Sequence, residues 1–232
     1  MEKVSGIFKV ILICGLVLGI LGLCRNFVSA ENLFTDSFED GNSNGWSTSG
    51  GSWSVVTDES KVLKQSSTSA TALTYTGQSA WTNYSVEARV KALSFNGTDR
   101  VLGLCARVKS SSNYYYLCLS NANKLELRKK VSGATTVLAS KSCSVQTQTW
   151  YTLKLDVNGN QLQAFVNGNL ELTATDSAIA TGKVGFTSIN TSAEFDDVKV
   201  EGSIVTSPSP TTTLKPSPTV SVEPTATVTA TA

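Results

Sequence analysis

An all-β sandwich or barrel is the fold class that this sequence predicts, and three observations carry the prediction. Apolar residues recur with a period of two along most of the stretch from Leu33 to Val200. Turn residues interrupt that alternation roughly every eight to twelve positions, the spacing of short antiparallel strands. No segment after the first thirty residues shows helical periodicity, and all five prolines lie beyond residue 207, so Glu31 to Gly202 is free of them. That middle stretch is long enough for one domain with a real core.

The strands can be justified in turn. In Tyr84 to Ala92, Tyr84, Val86, Ala88 and Val90 share one face while Glu87, Arg89 and Lys91 share the other, as a half-buried antiparallel strand requires. Val101 to Val108 places Leu102, Leu104, Ala106 and Val108 together. Ser110 to Asn113 then turns the chain into Tyr114–Leu119, which predicts a hairpin. Lys124 to Val131 sends Leu125 and Leu127 inward and Glu126, Arg128 and Lys130 outward, and Ser132-Gly133 begins the return to Thr136 through Ser140. Trp150 to Val157 alternates again and Gln161 to Val166 answers it across Asn158-Gly159, a strong two-residue hairpin signal; Asn167-Gly168 repeats that signal at once.

The two ends differ in composition from this middle. Lys3 and Lys9 precede an apolar run from Val10 to Cys24, and Val28-Ser29-Ala30 offers the small residues a signal peptidase reads. Residues 1–30 are therefore expected to be a secretory signal cleaved after Ala30; the apolar run falls short of the roughly 20 residues a spanning helix needs. A lipoprotein site at Cys24 is opposed by the bulky Leu23 before it. Residues 203–232 are rich in Thr, Ser and Pro with almost no charge, so they are expected to form an extended linker or tail. Such a spacer reaches toward a further domain or toward a cell surface.

Composition removes several function classes. The chain has 19 basic and 18 acidic residues, and losing Lys3, Lys9, Arg25 and Glu2 with the leader leaves 16 and 17. A charge so near zero exerts no long-range pull on nucleic acid or anionic lipid. Histidine is absent, which excludes a Ser-His-Asp or Cys-His nucleophile and any His-ligated metal. After leader removal three cysteines remain, Cys105, Cys118 and Cys143. If the hairpin turns at Ser111, Cys105 lies nearly opposite Cys118, so a cross-strand disulfide and three free thiols are both open readings.

A set of ordered motifs narrows the class. Asp36-Ser37-Phe38-Glu39-Asp40-Gly41, Gly45-Trp46, Gly51-Ser52-Trp53, Trp150-Tyr151-Thr152-Leu153-Lys154-Leu155, Phe165-Val166-Asn167-Gly168, Gly182-Lys183-Val184-Gly185-Phe186 and Phe195-Asp196-Asp197-Val198 follow one another along the domain. In this order they resemble the concanavalin A-like or laminin G-like jelly rolls, above all the noncatalytic modules of secreted bacterial polysaccharide-degrading enzymes. The resemblance implies a two-sheet antiparallel β-sandwich with a curved sheet whose concave side is open to sugar. It also implies a structural calcium ion held by Glu39, Asp40, Asp196 and Asp197, since four carboxylates brought together need a compensating charge.

With that resemblance, binding of polysaccharide by a secreted, noncatalytic module is the expected function. A cell-surface adhesin or sensory ectodomain is the alternative, with a glycan-degrading enzyme on the same fold behind it. Sugar rings stack on aromatic faces, so the expected binding face is the one carrying Arg107, Tyr114 and Tyr116 beside Arg89, Glu126 and Arg128. Its cationic tilt suits an acidic glycan. Among the tryptophans, Trp81 is the candidate rim residue, and Trp46, Trp53 and Trp150 read as core. Paired carboxylates for glycoside hydrolysis are not apparent, because Glu87, Glu126 and Glu171 each stand alone.

Overall fold

The computed structural model describes residues 30–202, so the expected leader and linker lie outside the described residues. Fifteen strands follow in chain order: β1 (Glu31–Asp36), β2 (Ser47–Ser49), β3 (Trp53–Asp58), β4 (Ser60–Gln65), β5 (Thr71–Thr76), β6 (Tyr84–Phe95), β7 (Val101–Ser110), β8 (Asn113–Ser120), β9 (Lys124–Val131), β10 (Ala134–Ser142), β11 (Trp150–Asn158), β12 (Gln161–Val166), β13 (Asn169–Thr175), β14 (Lys183–Ile189) and β15 (Thr191–Gly202). The first sheet has eight strands in the order β13-β12-β11-β6-β15-β4-β3, with β1 also on β15; the second has seven, β10-β9-β8-β7-β14-β5-β2. Every pairing is antiparallel.

The core lies where the alternation predicts. Val86, Ala88 and Val90 of β6 and Leu153, Leu155 and Val157 of β11 belong to the same buried cluster as Leu102 and Leu104 of β7 and Leu117 and Leu119 of β8. Full burial of each larger side chain contributes about 2 kcal/mol. Phe186 of β14 and Phe195 of β15 stack across the sheets at 4.3 Å, and Trp46 lies nearly parallel on Phe186 at 5.5 Å. Gln65 is buried in this region with its amide saturated: the two N–H groups of Nε2 are shared among Ser67 O, Ser188 Oγ and Thr191 O, and Oε1 accepts from the Ser52 and Ser67 amides.

The turns follow local backbone chemistry. Asn167 and Gly168 both have positive φ between paired Val166 and Asn169, as a type I′ hairpin requires. At the preceding hairpin Asn158 pairs with Gln161, so the loop is Gly159-Asn160, one residue later than the Asn-Gly signal places it. Only Gly159 of the two has positive φ there, which is the type II′ pattern.

Among several register shifts, two bear on the expected site residues. Three steps along β7 from Cys105 to Val108 answer two along β14 from Gly185 to Lys183, and Arg107 between them has φ +50. One extra residue in the strand inverts which face each later side chain takes. Val108 therefore leaves the leucines it was expected to join and packs with Cys105 and Tyr114 on the far side of the sheet. The second bulge lies between Asp196 and Lys199 of β15, with Asp197 at φ +52, where β15 passes from pairing with β4 to pairing with β1.

Candidate functional site

The face of the second sheet that points away from the core is built from two principal rows of side chains. Tyr75 of β5, Gly185 of β14, Cys105 of β7, Tyr116 of β8 and Arg128 of β9 sit in register across the sheet. The next row is Leu73, Thr187, Gly103, Cys118, Glu126 and Ser140. Tyr114 packs against Tyr116 at 5.3 Å between ring centroids. Lys130 Nζ lies 5.6 Å from the Tyr114 ring, and Lys183 Nζ lies 5.4 Å from the Tyr75 ring. Two glycines and two cysteines in the middle of the rows keep the floor low between the aromatic rings.

Four of the six sequence-predicted contacts, Tyr114, Tyr116, Glu126 and Arg128, share this face, but not as free side chains. Tyr114 and Tyr116 are each 2% exposed and belong to a second apolar cluster with Leu73, Val101, Cys105, Val108 and Cys118. Glu126 is 4% exposed; its Oε2 accepts from Arg128 Nε at 2.7 Å and from the same guanidinium's Nη2, and its Oε1 accepts from Ser140 Oγ at 3.3 Å. Thr135 is exposed on this face, and Arg128, Lys130, Lys183 and Tyr75 are half-buried. Lys130 reads as outward from the alternation of its strand, whereas Tyr75 and Lys183 escape sequence reasoning because only the sheet order brings β5 and β14 beside β7 and β8.

Arg107 and Arg89 are corrected outright. The bulge turns Arg107 away from the solvent face, and it is 1% exposed. Its Nη1 donates to Ile179 O at 2.9 Å, while Nε and Nη2 donate to Thr82 O at 3.2 and 2.8 Å. The Tyr84 hydroxyl accepts from the Arg107 amide at 2.6 Å and donates to the Gly182 carbonyl at 3.2 Å, closing that end of the sandwich. Arg89 lies on β6 of the first sheet, so it points to the opposite side of the molecule from Tyr116. There its guanidinium covers the Trp150 ring at 4.4 Å and pairs with Asp197 at 3.1 Å. Trp150 is thus an outer-face residue, whereas Trp46, Trp53 and Trp81 pack against the core cluster.

The four carboxylates expected to hold calcium are not assembled as one ligand set. Glu39, Asp40 and Asp197 line an open depression of about 430 Å³ together with Asp36. Asp196 does not line it, because the β15 bulge buries its side chain under Ser60 Oγ, 3.0 Å away, and the Asp197 amide, 2.8 Å away. Asp40 accepts from Asn42, Glu39 accepts from the Lys61 amide, and the Lys61 ammonium donates to the Glu39 carbonyl. Among the described residues no group of three or more acidic, Cys or His side chains is disposed to hold a metal ion.

Cys105 and Cys118 are free thiols, and the register explains why. Cys105 faces Tyr116 and Cys118 faces Gly103, so the two cysteines are diagonal rather than opposite. Burial pushes the Cys118 thiol up to about 12 and raises Cys105 well above its ordinary value. Burial likewise raises Tyr84, and it pushes Tyr115 up to about 12 with help from the Asp176 carboxylate that its hydroxyl faces. These groups stay protonated in the folded chain while the unfolded chain ionises, so the stability they contribute is complete below about pH 8 and falls first through the thiols and then through the tyrosines as pH rises toward 12. Denaturant titrations at pH 8 and pH 11 are expected to differ by about 1.4 kcal/mol for each such tyrosine. A stability independent of pH across that range would contradict the burial of these hydroxyls.

Two antiparallel sheets packed face to face, with a row of tyrosines on the outer side of one, define a lectin-type jelly roll. Residues 33–201 match the model of the 3-keto-alpha-glucoside-1,2-lyase-like domain, and the chain belongs to that family, within the concanavalin A-like lectin/glucanase superfamily. An extracellular exo-alpha-L-arabinofuranosidase of Streptomyces chartreusis is 27% identical over 139 residues, which is 59% of this chain and 16% of that enzyme. Among solved structures, the carbohydrate-binding module CBM66 from Bacillus subtilis aligns with TM-score 0.60 and 22% identity over 68% of this chain and 96% of that one. A Bacillus subtilis protein of unknown function with a galectin-like fold aligns with TM-score 0.57 and 14% identity over 76% of this chain and 99% of that one. The jelly roll implied by the ordered motifs is the fold observed.

Proposed function

We propose that this protein is a secreted module that binds polysaccharide without transforming it. The observation that supports the reading is the outer face of the second sheet, where Tyr75, Tyr114 and Tyr116 form an aromatic floor edged by Arg128, Lys130 and Lys183. A glycan lies along the accessible edge, with its ring C–H groups against Tyr75 and its hydroxyls or carboxylates on the lysines. Tyr114 and Tyr116 shape the floor beneath. Affinity in the millimolar to micromolar range, about 4 to 8 kcal/mol, fits a shallow surface of this kind.

The family's description and the glycosidase relative favour one second reading, an enzyme acting on glycosides. Against it stands Glu126, the acidic residue of this face, which is closed by Arg128 and Ser140 rather than poised as an acid. Gel retention on arabinan, arabinoxylan and polygalacturonate, assayed together for new reducing ends or unsaturated products, separates the two. Retention without product is expected. Tyr75→Ala and Lys130→Ala, both outside the inter-sheet core, are each expected to weaken retention about tenfold; unchanged retention in both would sink this face as the site.

A further inference from the structure

The opposite face of the molecule carries a second set of unengaged polar groups. On the outer side of the first sheet, Asp156 of β11, Gln163 of β12 and Thr173 of β13 stand in one row. Lys154 and Phe165 stand in the row beside it, and Lys154 Nζ lies 5.7 Å from the Phe165 ring. An open depression of about 410 Å³ is lined by Gln161, Gln163, Thr173 and Thr175.

These side chains are free in a way that those of the rest of this face are not. Toward β15, Lys91 is held between Asp58 and Glu194, and Arg89 between Asp197 and the Trp150 ring. The side chains of Asn83, Asn167 and Asp176 at the strand ends are engaged by backbone amides, whereas among the described residues no hydrogen bond engages those of Gln163, Thr173 or Asp156. Asp156 is half-buried, and burial raises its carboxyl with only Lys154 to oppose the shift. A half-buried carboxylate without a donor is a demand for hydroxyl or N–H partners.

We propose that the outer face of β11, β12 and β13 is a second saccharide-contact site, specific for a neutral sugar chain. Each glutamine amide offers a donor and an acceptor at the spacing of vicinal hydroxyls, Asp156 accepts from two hydroxyls, and Phe165 presents a ring for the C–H face of the sugar. Asp156 and Lys154 leave this patch without net charge, so an acidic glycan gains nothing here, which separates the site from the lysine-edged face across the sandwich. This inference rests on the reading of the protein as a glycan binder and adds a site of different charge preference, so that one molecule contacts two chains.

The protein is tested by affinity electrophoresis in soluble xylan, soluble β-glucan and polygalacturonate. Gln163→Ala with Phe165→Ala is expected to weaken retention about tenfold on a neutral polymer and to leave polygalacturonate retention unchanged. Tyr75→Ala with Lys130→Ala is expected to do the reverse on polygalacturonate. In parallel, neutral xylo-oligosaccharide is expected to shift the side-chain amide NMR signals of Gln161 and Gln163 in the wild-type protein. Neutral retention unaffected by the first pair, or wild-type retention confined to polygalacturonate, overturns the second site while the first stands. Wild-type retention on none of the polymers overturns both.

Discussion

Replacing Arg107 by alanine is expected to lower the stability of the domain by about 3 kcal/mol and its Tm by about 10 °C, without altering glycan retention of the protein that remains folded. The side chain is among the largest that are fully buried here, and its guanidinium ties the Thr82 and Ile179 carbonyls together. Truncation leaves a cavity and removes the donors that the Thr82 and Ile179 carbonyls share. Arg107→Met keeps most of the volume and removes the donors, so it separates the two causes. If the donors dominate, Met is nearly as damaging as Ala; if volume dominates, Met restores most of the loss. Thermal denaturation of both variants with matched gel retention decides it. A loss below 1 kcal/mol in Arg107→Ala, or a retention defect at unchanged stability, would return this residue to the binding face.

That reversal of roles shows where sequence reading succeeds and where it stops. From Tyr84 to Val166 the strands are legible because each buries one face against the other sheet, and a period of two is the direct consequence. A bulge adds one residue without changing the hydrophobic composition, so the strand through Arg107 reads as regular while the structure inverts it after Ala106. The same holds at Asp197, where the expected cluster of four carboxylates becomes three on one side and a buried Asp196 on the other. Sheet membership is hidden for a different reason. Arg89 and Tyr116 each lie on the outer side of their own strand, and alternation defines an outer side without saying which of two opposite surfaces it is. Only the order β11-β6-β15 in one sheet and β8-β7-β14 in the other separates them.

The separation matters for the proposed binding of a polymer. On the second sheet the exposed charges beside the tyrosine floor are cationic, since Glu126 is closed by Arg128. On the first sheet the cations near β6 are already spent on Asp58, Glu194 and Asp197, and what remains free toward β13 is neutral apart from Asp156 and Lys154. A near-zero net charge thus conceals two surfaces of different chemistry. Substitutions on one are expected to leave the other intact, because the core separates them and distant sites add independently.

Gly185→Ala is expected to cost about 3 kcal/mol and to abolish retention on acidic polysaccharide, coupling stability to the proposed binding face in a way Arg107→Ala does not. Gly185 lies in β14, in the interior of the second sheet, between Tyr75 of β5 and Cys105 of β7. A methyl group there would meet Thr74 O at 2.1 Å and Tyr75 Cα at 2.9 Å, both backbone atoms, so no side-chain rotation relieves it. The sheet must part by roughly an ångström along β5–β14, where each strand also carries core side chains such as Ala72 and Phe186. Tyr75 sits on β5 at the point of separation, so its ring leaves the row that it shares with Tyr116 and Arg128. Gly168→Ala is the matched control: nothing lies within 4 Å of its added methyl, and only the positive φ of +81 opposes it. That change is expected to cost about 1 kcal/mol and to leave retention unaltered. Equal losses from the two substitutions would mean that backbone conformation, rather than the close approach of β5 and β14, governs glycine in this fold.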